Sequence, residues 1–258
     1  MDRLVRWGGL EFADFARLDP AAARSLLDPA DPDWAVALNN TPKVWAKLPI
    51  ADCRSAICPG QTAAAGQIGN RRSEIGDCAL AEVRAAQSRL VCRHWRELLA
   101  VKAPALYDAL PWHDVDIGPL LRGRRLWQTR FLLAGGHASV TACRLRRTAG
   151  AYAVEPNPAL ANYIERKAAL EKVKNLRVLR ATLDATGLPD GAVHLAIVEA
   201  PGETGLVELE RVAFEVAVLD TDPLLESDPG LLRARGYRES AITTRFGPAT
   251  AWVRPPAA

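Results

Sequence analysis

Long hydrophobic runs are missing from this chain of 258 residues. None approaches the roughly 20 apolar residues that span a bilayer. The start, Met1-Asp2-Arg3-Leu4-Val5-Arg6-Trp7, is too charged to open a signal peptide. A cytoplasmic protein with no membrane partner is therefore expected. Cysteine is scarce: Cys53, Cys58, Cys78, Cys92 and Cys143 are odd in number and include no Cys-x-x-Cys pair, which argues against a disulfide framework or a zinc ribbon. Reduced thiols are the plain reading. A metal or iron–sulfur site joining Cys53 and Cys58 to Cys78 or to Cys92-Arg93-His94 has no known spacing signature behind it, so no metal is expected. An excess of one charge is also lacking, with 33 Lys plus Arg against 30 Asp plus Glu and a net charge of +3. So mild a balance does not point to nucleic acid as a partner. No fixed-period repeat is present, which removes a solenoid.

What is present is an ordinary globular composition, 49% hydrophobic and 24% charged, enough to bury a core and too apolar for general disorder. Patterning divides the chain. Residues 1–125 are punctuated by Pro20, Pro29, Pro32, Pro42, Pro49 and Pro59 and by a loop around Gly60 to Asn70, with short helical stretches between. They read as a mainly helical N-terminal substrate or cap region. Its clearest element is an amphipathic helix from about Asp77 to Val101, with Leu80, Val83, Ala86, Leu90, Val91 and Leu98 on one face. His94 lies on that apolar side, as a core histidine or one turned toward a ligand. Five of the seven tryptophans, Trp7, Trp34, Trp45, Trp95 and Trp112, precede Leu120. They suit a core, an interface or an aromatic pocket.

In Leu110-Pro111-Trp112-His113-Asp114-Val115-Asp116 an aromatic, an imidazole and two carboxylates share one loop. His113 is a candidate base, with Asp114 or Asp116 orienting it, and Trp112 offers a substrate wall. The other reading is a surface turn capped by an aspartate. Arg122, Arg124 and Arg125 follow, as an anion or nucleic-acid contact or as a solvated linker face.

From Trp127 strands and helices alternate: strand to Ala134, glycine turn Gly135-Gly136, helix from Ser139, strand Ala151 to Val154, helix from Pro158 to about Lys172, and strand Leu176 to Ala181. Asn157 is a good N-cap and Pro158 suits a first helical turn. Strand Val193 to Val198, a helix around Leu206 to Val212 and strand Phe214 to Leu219 complete the alternation. This order predicts a doubly wound parallel α/β sheet. Ligands in such sheets sit at the carboxyl ends of the strands, where Gly135 and Gly136 let the chain approach closely. Glu155 ends the second of these strands, where a carboxylate can accept both hydroxyls of a ribose.

With Phe131-Leu132-Leu133-Ala134-Gly135-Gly136-His137-Ala138-Ser139 followed by Val154-Glu155-Pro156-Asn157-Pro158, residues 127–253 resemble the class I S-adenosylmethionine-dependent methyltransferases. The two segments are similar to that family's glycine-rich and ribose-binding motifs. Asn175 to Thr182 resembles its third strand, Leu188 to Leu195 the turn into its fourth, and Gly236 to Val253 its closing antiparallel hairpin. The resemblance implies a mostly parallel seven-stranded sheet with a terminal hairpin over residues 126–258. It also implies S-adenosylmethionine as cofactor, held by Ala134, Gly135, Gly136, His137, Ala138, Glu155, Pro156, Thr182, Leu183, Asp184 and Glu199. A sulfonium methyl is already electrophilic, so transfer to a small-molecule acceptor asks for in-line positioning and, for an oxygen or carbon acceptor, a base. His113, His137 and Glu199 are the candidates. A homodimer is left open. Departures from the pattern include Ala134 where an acid is usual, Ala138 and Val140 at later glycine positions, and His194 in place of an aspartate. They motivate an alternative, a noncatalytic binding or scaffold protein of the same fold. A nicotinamide-binding domain is the other rival, but the turn does not satisfy Gly-x-Gly-x-x-Gly.

Overall fold

The computed structural model describes residues 9–18, 26, 31–39, 77–110, 113–221, 227–245 and 247–255. Cys53, Cys58, Trp7, Trp45, Trp112 and the Gly60–Asn70 loop lie outside them. The chain divides into two compact units, Met1–Leu106 and Tyr107–Ala258.

In the first unit a 3-10 turn, Phe12–Arg17, accompanies helices α1 (Pro32–Asn39), α2 (Asp77–Arg93), α3 (Trp95–Lys102) and the start of α4 (Pro104–Asp108). The apolar face read from the sequence is the buried one: Val83, Ala86, Leu90, Val91 and Leu98 are all inside. The single helix expected over Asp77 to Val101 is instead kinked at His94 (φ −110°, ψ 25°). Helical hydrogen bonding continues through the kink, from His94 N–H to the Leu90 carbonyl at 3.0 Å. The kink seats the imidazole 5.9 Å from the Phe15 ring and 6.3 Å from Trp34. His94 is thus a half-buried histidine packed against aromatic rings, its pKa lowered by burial and by Arg93 alongside. Arg89 grips Asp33 through Nε at 3.0 Å and Nη2 at 2.6 Å.

The second unit runs β1 (Val115–Asp116), α5 (Gly118–Leu121), β2 (Arg130–Ala134), α6 (Ala138–Arg144), β3 (Gly150–Val154), α7 (Pro158–Leu170), β4 (Leu176–Leu179), β5 (Val193–Glu199), α8 (Glu203–Val212), β6 (Ala213–Asp220), α9 (Pro229–Ala234), β7 (Arg238–Thr244) and β8 (Gly247–Arg254). The strands form one sheet in the order β1-β7-β8-β6-β5-β2-β3-β4. β2 to β6 are parallel, while β8 enters antiparallel between β6 and β7. Central strands buried on both faces read as continuous apolar runs, as Phe131 to Ala134 and Leu195 to Val198 do. One cluster around Phe131, Leu133, Ala153 and Ile197 fills one face, and another around Leu132, Ala196, Leu206 and Trp252 fills the other.

One expectation needs correction. The sheet has eight strands, because Val115 and Asp116 pair antiparallel with Thr244 and Thr243. A two-residue strand is too short to show alternation, so this stretch reads as loop from sequence. The second unit begins at Tyr107, and Val115, Ile117 and Leu120 belong to its core cluster. Among the described residues no helix is long and apolar enough to cross a membrane.

Candidate functional site

The carboxyl ends of the parallel strands bring the singled-out residues together. Ala134 pairs with Val154 on one side and Val198 on the other. One step further along, Gly135 is therefore flanked across the sheet by Glu155 and Glu199. Gly135 has φ 111°, a left-handed value that disfavours any side chain. A Cβ there would overlap the Glu199 side chain, and one at Gly136 would overlap the His113 ring. The two glycines are needed because a carboxylate and an imidazole occupy the space that side chains would take.

Glu199 is only 5% exposed. Its Oε2 accepts the Gly136 N–H at 2.8 Å, and its Oε1 lies 3.4 Å from the Thr221 hydroxyl. A buried carboxylate is tolerable when amide and hydroxyl donors satisfy it. His113 is fully buried. Its Nδ1 lies 2.8 Å from the Tyr107 carbonyl oxygen. A carbonyl only accepts, so Nδ1 carries the proton and Nε2 is the basic nitrogen of the neutral ring. That nitrogen is the atom turned toward Gly136. The segment bearing it is pinned by Tyr107, 4.6 Å from His113 and 5.3 Å from Tyr163 between ring centres. Asp108 adds a second anchor, accepting Ser139 Oγ at 3.0 Å and Lys167 Nζ at 2.6 Å.

Glu155 is half-buried, and its Oε1 accepts the Asn157 N–H at 2.8 Å. Asn157 caps α7 as expected, its side chain accepting from Ala159 at 2.8 Å and from Leu160 at 3.4 Å.

The remaining candidates sit differently. His137 is fully buried, with Nδ1 3.1 Å from the Thr141 hydroxyl. Burial pushes its pKa down to about 4, against a smaller pull upward from the Ala134 and Ile197 carbonyls. A sealed, neutral imidazole reads as packing for the turn. Ala134 and Ala138 are buried in the strand end and first helical turn, and Pro156 is exposed. On the loop after β4, Thr182 and Asp184 are exposed while Leu183 packs against Gly205. His194 lies at the far end of the sheet, accepting the Arg130 N–H on Nδ1 at 3.1 Å. Sequence reasoning did not find Tyr107, Asp108 or Thr221, whose roles depend on contacts across the fold and leave no local pattern. Among the described residues no cluster of three or more His, Cys, Asp or Glu side chains is placed to hold a metal.

The charges at this edge are mainly acidic. Glu155, Asp184, Glu199, Glu203 and Asp220 follow or end strands there, and burial raises the pKa of Asp220. Such a rim favours a ligand that carries positive charge.

No protein-family model matches the sequence, and no curated protein does. Solved structures that are similar include a SAM-dependent methyltransferase from Aquifex aeolicus, at TM-score 0.47 and 20% identity, covering 58% of this chain and 97% of that one. Others are magnesium protoporphyrin IX methyltransferase from Synechocystis with bound SAM (TM-score 0.41, 13% identity, 61% and 82% covered) and precorrin-6y C5,15-methyltransferase from Geobacter metallireducens (0.40, 14%, 51% and 83%). The strand order and directions of β2 to β8 give the mostly parallel seven-stranded sheet with a terminal antiparallel hairpin that the resemblance implied, extended by β1 at one edge.

Proposed function

We propose that this chain is an S-adenosylmethionine-dependent methyltransferase acting on a small-molecule acceptor. The observation that carries the reading is the pair of carboxylates, Glu155 and Glu199, flanking Gly135 at the carboxyl edge. The donor set fits an adenosyl cofactor at its ribose end: Glu155 is half-exposed, already oriented by the Asn157 amide, and able to accept from vicinal hydroxyls. The acidic rim suits the positive sulfonium and ammonium groups. When bound, the cofactor supplies an electrophilic methyl. The chain's own residues then do the rest. Glu199 holds the turn in place through the Gly136 amide, while His113, its tautomer set by the Tyr107 carbonyl, keeps Nε2 buried against Gly136 and would take an acceptor proton only when the turn opens.

A second reading is a binding or scaffold protein of the same fold. It is favoured by the side chains of Glu199 and His113 filling the space at both glycines, and by Ala134 supplying no carboxylate of its own.

Calorimetry with S-adenosylmethionine and S-adenosylhomocysteine separates the two, followed by methyl release with the small-molecule fraction of a cell extract. Methyl transfer that depends on Glu155 supports the enzyme. Binding without transfer, or no binding by the folded protein, leaves the scaffold and removes the enzyme.

A further inference from the structure

The opposite edge of the same sheet has a different character. In the register of the parallel strands, Asn175, Gly150, Arg130, His194 and Phe214 form one row across the amino ends of β4, β3, β2, β5 and β6. Four interstrand spacings make this row about 19 Å long. Three turns lie side by side along it, joined by hydrogen bonds. Ala149 N–H reaches the Thr129 carbonyl at 3.1 Å, and the Asn175 amide donates to the Leu145 and Thr148 carbonyls, both at 3.1 Å. The surface is therefore continuous.

Its turns carry mainly positive charge. The first turn carries Arg122, Arg124 and Arg125 and leads to Arg130, the second carries Arg146 and Arg147, and the third carries Lys172 and Lys174. Arg124 pairs with Glu215. Among the described residues the other cations of these turns make no ion pair. The acids nearby are Glu171, which is exposed, Asp190, which is tied to Arg211, and Asp114 and Asp116, which share a cavity with Leu121, Leu126 and Leu145, Asp114 being paired with Arg144. Large apolar side chains are also uncovered here: Trp127 is 67% exposed, Phe214 58% and Leu170 83%. An exposed indole two residues from Arg125 offers a flat apolar face on which an aromatic ligand can stack.

We infer that this amino edge binds a single-stranded polynucleotide, with phosphates on the arginines of the first two turns and a base stacked on Trp127. Arginine suits phosphate through its planar fork of donors, and a base offers a flat face that can stack on the exposed indole of Trp127. A lipid surface is the less favoured occupant, because the cations follow a narrow row along one sheet edge and not a broad face. The site is separate from the glycine turn, so the inference stands whether or not an adenosyl cofactor binds.

The test uses the full chain and a fluorescent oligouridylate of about 12 nucleotides, followed by anisotropy across a salt series. Binding is expected at low salt, with log Kd rising along log salt at a slope of about 2 for three phosphate contacts. The triple variant Arg125→Glu/Arg146→Glu/Arg147→Glu should weaken binding about tenfold or more and flatten that slope. Trp127→Ala should weaken it about fivefold or more with the slope retained. No binding by the wild type overturns the inference. So does binding indifferent to Trp127, equal affinity for a duplex of the same length, or adsorption to phosphatidylserine vesicles without affinity for the oligonucleotide.

Discussion

The two ends of the parallel strands use opposite physics. At the carboxyl edge polar groups are drawn inside and satisfied by the fold: Glu199 by the Gly136 amide, His113 by the Tyr107 carbonyl, Asp108 by Ser139 and Lys167. At the amino edge the cations and Trp127 stay in water. Buried, interlocked groups are expensive to disturb, whereas exposed ones contribute little to folding and are available to ligands. Substitutions at the first edge should therefore move stability and chemistry together, and those at the second should move binding alone.

The sharpest contrast comes from Gly136→Val. Its side chain would collide with the buried His113 ring, so chemical denaturation should show a loss of about 4 kcal/mol or more. A variant as stable as the wild type would mean that His113 is not packed on the turn. His137 supplies a pH test of the same edge. Its folded pKa of about 4 lies below the unfolded value of 6.5, so the unfolded chain binds the proton more readily between those values. The stability this neutral ring contributes is complete above about pH 6.5 and is lost as pH falls toward 4, by up to about 3 kcal/mol. Denaturation midpoints of wild type and His137→Asn, measured at pH 7.5 and pH 4.5, should converge toward the acid end.

If His113 is the base, His113→Asn should lower turnover roughly a hundredfold with cofactor affinity intact. A fall in affinity with little change in turnover would instead assign the imidazole to shaping the turn. Glu155→Ala should weaken adenosyl binding by about 1 to 3 kcal/mol in a protein that still folds. Calorimetry with S-adenosylhomocysteine reads this directly, and unchanged affinity would move the ribose elsewhere. Smallest of all, Arg146→Glu/Arg147→Glu should alter stability by no more than about 0.5 kcal/mol, measured by thermal unfolding. A larger loss would show that the amino edge is held by interactions like those at the carboxyl edge.

Much of the second unit was legible because local signals agreed. Asn157-Pro158 marks a helix start that the cap geometry repeats, and continuous apolar runs mark the strands buried on both faces. The acid of Glu155 and the glycines of the turn were visible by position. What was not legible followed from contacts between distant segments. The turn at Gly135 reads as a place for a ligand, and only folding shows Glu199, 63 residues away, reaching its amide. The kink at His94 likewise depends on Phe15 and Trp34, which no helical period contains.

Charge makes the same point. By itself the sequence determined a nearly balanced chain, an alternating α/β unit and a glycine turn followed by an acid, because composition and periodicity are local properties. Only the tertiary structure decided where the charges fall. Turns that follow one another at intervals of about 25 residues come to lie beside each other when parallel strands align their starts, so cations scattered between Arg122 and Lys174 meet on one edge. The acids after the strands gather on the other, since every right-handed crossover returns the chain to the same side.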